Sequence, residues 1–262
     1  MLLSELWRFP VKSMRGIRAA RLAVDARGLH LDRHWMLVDD QGRFLTQRQL
    51  PRMALLNTAL EGGTLSLWLE GEAPRTVVCP QDGPLIDVRV WSDECQARGV
   101  NAGVDEWLSD FLQTDCRLVY LPPDQERAVD PAYARPGEQV GFADGFPFLL
   151  ISRASLDDLN TRLEMPVPMR RFRPNLVVEG CEPYAEDAWK RLRIGGLEFR
   201  VVKPCSRCII PTIDPETAER GVEPLRTLSG YRRWDNNVWF GQNLLHDGPG
   251  MLQEGMSVEV LE

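Results

Sequence analysis

Two cysteines set three positions apart are the groups in this sequence best suited to chemistry. Cys205 and Cys208 belong to the run KPCSRCIIPTIDPET, residues 203 to 217, which follows a segment rich in β-branched and aromatic residues, residues 197 to 202. That segment is typical of a strand, so the pattern predicts reactive groups on a proline-marked turn at a strand end. An ordinary cysteine is only about 3% thiolate at pH 7, and the thiolate is the form that attacks or binds a metal. Nearby positive charge favours the thiolate, and Lys203 and Arg207 are candidates to supply it.

The cysteine pair allows several interpretations. A free cysteine packs like a small hydrophobic residue, so both side chains could simply fill a strand end. A structural zinc site normally takes four ligands, but neither the other four cysteines nor the three histidines provide a second ligand pair. A thioredoxin-like pair would begin a helix, whereas Pro211 and Pro215 follow closely. The residues themselves leave two hypotheses open: packing, or a single reactive or metal-binding thiolate.

Four further groups of polar residues could act with such a thiolate. The first group is PVKSMRG, residues 10 to 16, where Lys12 and Ser13 precede a glycine, although exposed cations in a turn are also ordinary. In the second group, residues 31 to 35, Arg33 enters what is predicted to be a half-buried strand. A buried guanidinium needs an anionic partner, so Asp32 or a phosphate is expected beside it.

The third group is Arg173-Pro174-Asn175, preceded by Arg170 and Arg171. Several arginines close together commonly form a solvated basic face, yet a guanidinium also matches phosphate oxygens in a bidentate way, and the proline fixes the turn. The fourth is Asp144-Gly145-Phe146. Its glycine permits close backbone approach to a ligand, but a simple turn before a buried strand explains it equally well.

Composition limits the class of protein. With 262 residues, of which 44% are hydrophobic and 26% charged, the chain can bury a substantial core as one large domain or two small ones. A formal charge of -7 argues against a nucleic-acid surface as the main partner. The N-terminus shows no long apolar segment, so neither a signal peptide nor a membrane anchor is expected. Six unevenly spaced cysteines do not suggest a disulfide framework, and a reducing cytoplasm is expected.

Short strands separated by turns dominate the predicted elements. In the first half these are residues 3 to 9, 17 to 24, 35 to 38, 65 to 69, 86 to 91 and 117 to 121. One helix is predicted after Asn101, with an apolar stripe formed by Val104, Trp107, Leu108, Phe111 and Leu112. In the second half the strands are residues 148 to 151, 176 to 178, 238 to 245 and 256 to 261, with helices after Ser152 or Ser155 and over residues 225 to 233.

These elements predict a mainly β (α+β) fold with few helices. Regular strand spacing indicates a barrel or curled sheet in the first half. The proline-marked loop after residue 121 has few apolar residues and predicts a domain boundary, which divides the chain into residues 1 to 125 and 126 to 262.

The run CSRCIIPTIDPETAER, residues 205 to 220, resembles the signature of MOSC-domain proteins, specifically the group that includes the mitochondrial amidoxime-reducing component and its bacterial relatives. The resemblance covers almost the whole chain, including PVKS, FRPN, YAEDAW and FGQN. It implies an N-terminal β-barrel-like domain followed by a MOSC β-barrel domain. It also implies that Cys208 binds the molybdenum of a molybdenum cofactor (Mo-molybdopterin). The other cofactor-binding residues that it implies are Lys12, Ser13, Arg33, Asp144, Gly145, Phe146, Arg173, Asn175, Ser206 and Arg207.

The resemblance implies a molybdenum-dependent reductase of small N-hydroxylated compounds such as amidoximes, hydroxylamines and N-hydroxylated bases. The sequence contains no Cys-x4-Cys-x2-Cys run for an iron-sulfur cluster, so electrons are expected from a separate ferredoxin, flavodoxin or cytochrome b5 type protein. Neither a membrane nor nucleic acid in a structural role is expected as a partner. Two alternatives stay open: a cofactor carrier or sulfur-transfer module with a persulfide on the same cysteine, and a protein that stores cofactor without turnover.

Overall fold

Strands make up most of the regular structure in the computed structural model, which describes all 262 residues. The first eleven strands are β1 (Leu2–Arg8), β2 (Ile17–Arg18), β3 (Arg21–Asp25), β4 (Gly28–Leu29), β5 (Trp35–Val38), β6 (Asn57–Glu61), β7 (Thr64–Trp68), β8 (Arg75–Val77), β9 (Leu85–Val90), β10 (Asp93–Gly99) and β11 (Arg117–Tyr120). The other eight are β12 (Phe148–Ser152), β13 (Leu176–Glu179), β14 (Arg191–Ile194), β15 (Leu197–Ser206), β16 (Arg233–Trp234), β17 (Asn237–His246), β18 (Gly250–Gln253) and β19 (Val258–Val260). The predicted mainly β fold is confirmed.

Only three α-helices occur: α1 (Ala102–Leu112), α2 (Arg153–Thr161) and α3 (Leu225–Ser229). Asn101 caps α1 by accepting hydrogen bonds from the amides of Gly103 and Val104, and Ser152 caps α2 by accepting one from the amide of Ser155. The third helix is shorter than the predicted residues 225 to 233, because the chain turns at Gly230 and then forms β16. None of the helices is long and apolar enough to cross a membrane.

The largest sheet has nine strands and joins the two ends of the chain. Its order is β19-β14-β15-β17-β12-β13-β1-β2, with β16 also paired to β17. The first strand lies antiparallel to β13, with Leu3 opposite Val178 and Leu6 opposite Leu176. The pairing of β18 with β3 makes a second connection of this kind. Strand pairing thus crosses the predicted boundary at residue 125. The division of the chain into two domains at this residue stays a prediction.

Three smaller sheets complete the fold: β5-β11-β10-β9, β18-β3-β4 and β6-β7-β8. One core of seventeen buried residues lies against the large sheet and includes Leu6, Phe148 and Phe199. Another seventeen-residue core lies in the first half, where Leu108 of α1 packs with Trp35 and other apolar residues. Burial of each such side chain contributes about 1.5 to 3 kcal/mol, so the two cores stabilise the sheets that carry the connecting loops.

The strand before Cys208 is longer than predicted. It continues past residue 202 to Ser206, so Cys205 lies in β15 and not on a turn. Its register opposite β17 shifts between Val201 and Lys203 and again between Pro204 and Ser206. Such irregularities accommodate a proline, which has no N–H to donate, and allow the strand to continue. Cys208 lies two residues after the end of β15.

Candidate functional site

Three of the predicted cofactor-binding residues have unusual backbone conformations. Ser13, Arg33 and Arg173 have φ values of 67°, 50° and 57°. A positive φ in a residue other than glycine is uncommon and costs about 1 to 3 kcal/mol, and such residues cluster at functional sites. Each of the three lies in a loop between strands, and their local strain is maintained by the surrounding hydrogen bonds.

The Arg33 guanidinium connects several of these loops. It donates to the carboxylate of Asp32, to Asn175 Oδ1 at 2.9 Å and to the carbonyl of Arg173 at 3.3 Å. Its side chain is only 12% exposed, so Asp32 is the anionic partner that a buried guanidinium requires. The Arg33 carbonyl accepts a hydrogen bond from the amide of Phe142 at 2.6 Å.

A glycine permits this close approach of loops. A Cβ atom on Gly141 would lie 2.8 Å from the carbonyl oxygens of both Asp32 and Arg33. No other residue fits without moving the backbone, because Cβ atoms do not approach backbone oxygens so closely. The loop that carries Asp144 is thereby held against the loop that carries Arg33.

Arg173 is a half-buried cation without a carboxylate partner. Its guanidinium lies 4.2 Å from the centre of the Phe9 ring and donates a hydrogen bond to the carbonyl of Met14. The Arg33 guanidinium lies 4.5 Å from the centre of the same ring. No Asp or Glu oxygen lies within ion-pair distance of Arg173. Burial, and then the charge of Arg33, lower the pKa of Arg173 to about 9, so it stays charged at neutral pH. An anionic ligand would supply the missing counter-charge.

A cavity of about 270 Å³ opens beside Arg173. Phe9, Arg15, Arg170 and Arg171 also line it. Arg170 and Arg171 differ from Arg173, because Glu216 and Asp214 lie 2.9 Å and 2.7 Å from their guanidinium nitrogens. Their charges are already compensated within the chain.

Lys12 and Asp144 form an ion pair, which is connected to the Arg33 loop through the backbone of Phe142. Lys12 is buried, and its Nζ donates to the Asp144 carboxylate and to the carbonyl of Phe142 at 2.8 Å. Desolvation lowers the pKa of Lys12 to about 8, although Asp144 opposes that shift. Desolvation would raise the pKa of Asp144, but Lys12 and Arg48 outweigh it and hold that pKa well below its ordinary range.

The remaining residues of the two turns lie nearby but make different contacts. Ser13 is buried, and its carbonyl accepts a hydrogen bond from Gln47 Nε2 at 2.7 Å. Gly145 is half-buried beside Asp144. The Phe146 ring is half-buried and packs edge-on against Tyr133 at 5.5 Å.

The two cysteines have different cationic neighbours. Arg207 donates to Cys205 Sγ at 3.1 Å and to the carbonyl of Phe172 at 2.8 Å, while its buried Nε has no hydrogen-bond partner. Lys203 lies over the ring of Tyr133 at 4.7 Å. Thus neither of the two cations suggested by the sequence is placed to act mainly on Cys208. Ser206 is exposed and lies opposite Trp239 in β17.

Arg48 is the cation beside Cys208, and sequence reasoning missed it. Its guanidinium donates to Asp144 Oδ2 at 2.8 Å, and the neighbouring Asp144 and Cys208 raise its pKa against the opposing effect of desolvation. Arg48 lies in a loop 160 positions before Cys208, where no pattern distinguishes it from a solvated arginine. The carbonyl of Arg48 accepts a hydrogen bond from Arg220 at 2.7 Å, which ties this loop to the segment after Cys208.

The structure therefore brings together most of the predicted site. Four cations face two carboxylates: Lys12, Arg33, Arg48 and Arg173 against Asp32 and Asp144. A phosphate monoester carries about -1.5 to -2 charges at pH 7, so this excess of positive charge suits it. No group of three or more His, Cys, Asp or Glu side chains has a metal-binding arrangement. The assignment of individual residues to a cofactor stays a prediction.

Comparison with known proteins agrees with this fold. Residues 1–115 match the family model described as the MOSC N-terminal beta barrel domain, and residues 137–259 match the MOSC domain. The protein is thus of the MOSC-domain class, as its sequence resemblance implied.

Individual relatives show to which family within the MOSC-domain class the chain belongs. Mitochondrial amidoxime-reducing component 1 of Mus musculus is 36% identical, over 98% of this chain and 82% of the relative. The Homo sapiens protein of that name is 35% identical with the same coverage. Mitochondrial amidoxime reducing component 2 of Rattus norvegicus is 37% identical over 90% of this chain and 73% of the relative. The chain belongs to the amidoxime-reducing component family.

Proposed function

We propose that this protein is a molybdenum-cofactor-dependent reductase of N-hydroxylated compounds. The names of its relatives support amidoxime reduction as the reaction. The structural observation that carries the cofactor proposal is Arg173, a half-buried guanidinium that has no carboxylate partner and borders a cavity. Replacement of such a charge by an apolar side chain would be easier to accommodate, so its presence favours a bound anion.

The residues fit a phosphorylated cofactor by charge and by position. Arg33, Arg173 and Lys12 would hold its anionic group, with Ser13 and Asn175 as hydrogen-bonding partners. Backbone groups of Asp144, Gly145 and Phe146, together with Ser206 and Arg207, would border it. Cys208 would bind the metal through its sulfur, and the Arg48 guanidinium lies beside it. The bound cofactor would supply the two-electron redox chemistry.

The proposed reaction cleaves an N–O bond. An amidoxime would take up two electrons and two protons, lose its hydroxyl oxygen as water and leave an amidine. The electrons would come from a separate electron-transfer protein of the ferredoxin, flavodoxin or cytochrome b5 type. A cytoplasmic location is part of the proposal, and the uneven spacing of the six cysteines supports it.

The test measures both the cofactor content of the purified protein and its turnover of an amidoxime. Molybdenum and pterin are measured in the purified protein, and benzamidoxime reduction is followed with reduced viologen as electron source. We expect about one molybdenum and one pterin per chain, with benzamidine as the product. Bound molybdenum without turnover of any N-hydroxylated substrate would contradict the reductase proposal and favour storage or carriage. A Cys208 persulfide with little bound metal would instead favour sulfur transfer.

A further inference from the structure

An exposed tryptophan occupies a strained turn at the tip of the β9–β10 hairpin. Trp91 and Ser92 form the two-residue connection between Val90 and Asp93, which lie opposite each other. Trp91 has a φ of 56° and Ser92 does not share a positive φ. That is the pattern of a type II′ turn, whose first position usually carries glycine. A large side chain at this position destabilises the hairpin, and the Trp91 side chain is 50% exposed, so burial does not explain it.

Two contacts connect Trp91 to the candidate site. The Arg48 guanidinium lies over its ring at 4.8 Å, and Arg48 also donates to Asp144 at 2.8 Å. The ring of Phe44 meets that of Trp91 edge-on at 5.0 Å, and Lys12 Nζ lies over Phe44 at 5.2 Å. The tryptophan is therefore joined to both members of the Lys12–Asp144 ion pair.

We propose that Trp91 is a specificity-determining residue that stacks on the ring of planar aromatic N-hydroxylated substrates at the mouth of the site. This proposal rests on the reductase function proposed above. Arg48 covers one part of the indole and Phe44 its edge, and half of the side chain stays exposed to a ligand. Aromatic rings prefer offset or edge-on stacking with such a surface. Arg48 fixes the ring while its own charge stays with Asp144, so the platform does not need to reorganise when a substrate binds.

The proposal predicts that Trp91 affects the binding of substrates that carry an aromatic ring, and not of substrates that share only the reacting group. Benzamidoxime carries a ring that can stack on Trp91, whereas acetamidoxime carries only a methyl group. Their amidine products, benzamidine and acetamidine, differ in the same way and bind without turnover. Both pairs present the same N–C–N group to the interior of the site, so a difference between them reports on the ring alone.

The test uses Trp91→Gly, which removes the ring and places the favoured residue in the turn, and Trp91→Phe, which keeps an aromatic ring. Trp234→Ala is the matched control, because Trp234 is 41% exposed and also lies under an arginine, Arg232, at 5.1 Å. Kinetics are measured with reduced viologen on the holoenzyme. Amidine binding is measured by calorimetry, and thermal unfolding is recorded for each variant.

For Trp91→Gly we expect KM for benzamidoxime and Kd for benzamidine to rise by about 3- to 10-fold, as loss of a stacked aromatic contact predicts. The values for acetamidoxime and acetamidine should change by less than about twofold, with kcat retained for both substrates. Trp91→Phe should recover most of the benzamidoxime KM, and Trp234→Ala should change none of these values. The Tm of Trp91→Gly should not fall, since the turn strain is relieved.

Three outcomes would overturn the proposal: equal changes for the aromatic and aliphatic ligands, no change for benzamidine, or a defect that occurs only when a protein replaces viologen as electron donor. The last would assign Trp91 to the donor surface. If wild-type protein reduces neither amidoxime, the reductase function fails, and the two amidine affinities still decide the role of Trp91.

Discussion

The Arg33 guanidinium donates a hydrogen bond to Asn175 Oδ1 at 2.9 Å, across 142 positions of sequence. Asn175 is buried, and its Oδ1 also accepts from the amide of Leu149 at 3.3 Å while its Nδ2 donates to the carbonyl of Trp7 at 3.2 Å. One amide group thereby joins the Arg33 loop to β1 and to β12, which belong to the large sheet.

Removal of this amide should destabilise the fold. In Asn175→Ala the buried partners of the amide lose their hydrogen bonds, so we expect the free energy of unfolding to fall by about 1 to 3 kcal/mol. Urea unfolding followed by circular dichroism measures the change. The control is Asn237→Ala, since Asn237 is exposed and its Nδ2 donates only to the nearby carbonyl of Asp235. Similar losses in both variants would contradict the connecting role of Asn175.

The arginines near the cavity should contribute unequally to cofactor occupancy. Arg173→Met removes a charge that has no carboxylate partner, so molybdenum and pterin content should fall at least several-fold while the stability of the cofactor-free protein is retained. Arg170→Met and Arg171→Met remove charges that Glu216 and Asp214 already compensate, so their content should change less. The measurement is metal and pterin analysis of the three purified variants. Equal occupancy in all three would contradict the assignment.

Lys12 should make stability depend on pH in the alkaline range. Its folded-state pKa of about 8 lies below its ordinary value of 10.5, so the unfolded chain binds more protons between these values. The unfavourable buried charge is fully present below pH 8, and the contribution of Lys12 to the free energy of unfolding rises as pH increases from 8 to 10.5.

The difference between wild type and Lys12→Met isolates this effect. Buried cysteines with raised pKa values, such as Cys116, act in the opposite direction above pH 9, but they are common to both proteins. Between pH 8 and pH 10 we expect the wild type to gain about 1 to 2 kcal/mol relative to Lys12→Met in urea unfolding. Parallel curves for the two proteins over this range would show that Lys12 does not titrate there.

Local patterns predicted those parts of the fold that depend on neighbouring residues. The N-cap Asn101 and the apolar stripe of α1 could be read directly, because a cap and a 3.6-residue period are local properties. The predicted strand over residues 17 to 24 is instead divided into β2 and β3, which belong to different sheets. The polar strand β10 was missed because cross-strand pairing with β9 and β11, and not its composition, stabilises it.

Local sequence patterns also predicted only part of the candidate site. Arg33, Arg173 and Lys12 were found through a resemblance to known proteins, and the contacts that make them a cluster join residues more than a hundred positions apart. Arg48 and Trp91 were not found, because each lies in a loop or turn where only tertiary contacts distinguish it from a solvated residue. Strain at Ser13, Arg33 and Arg173 is likewise visible only in the backbone conformation.

The two cysteines provide the most direct test of the proposed function, since Cys208 lies beside Arg48 and Cys205 is bound by Arg207. Molybdenum content and benzamidoxime turnover with reduced viologen are measured on Cys208→Ala and Cys205→Ala. We predict that Cys208→Ala loses activity and most of the metal, while Cys205→Ala keeps both and loses only about 1 kcal/mol of stability. Molybdenum that survives in Cys208→Ala but not in Cys205→Ala would contradict the assignment of the metal to Cys208.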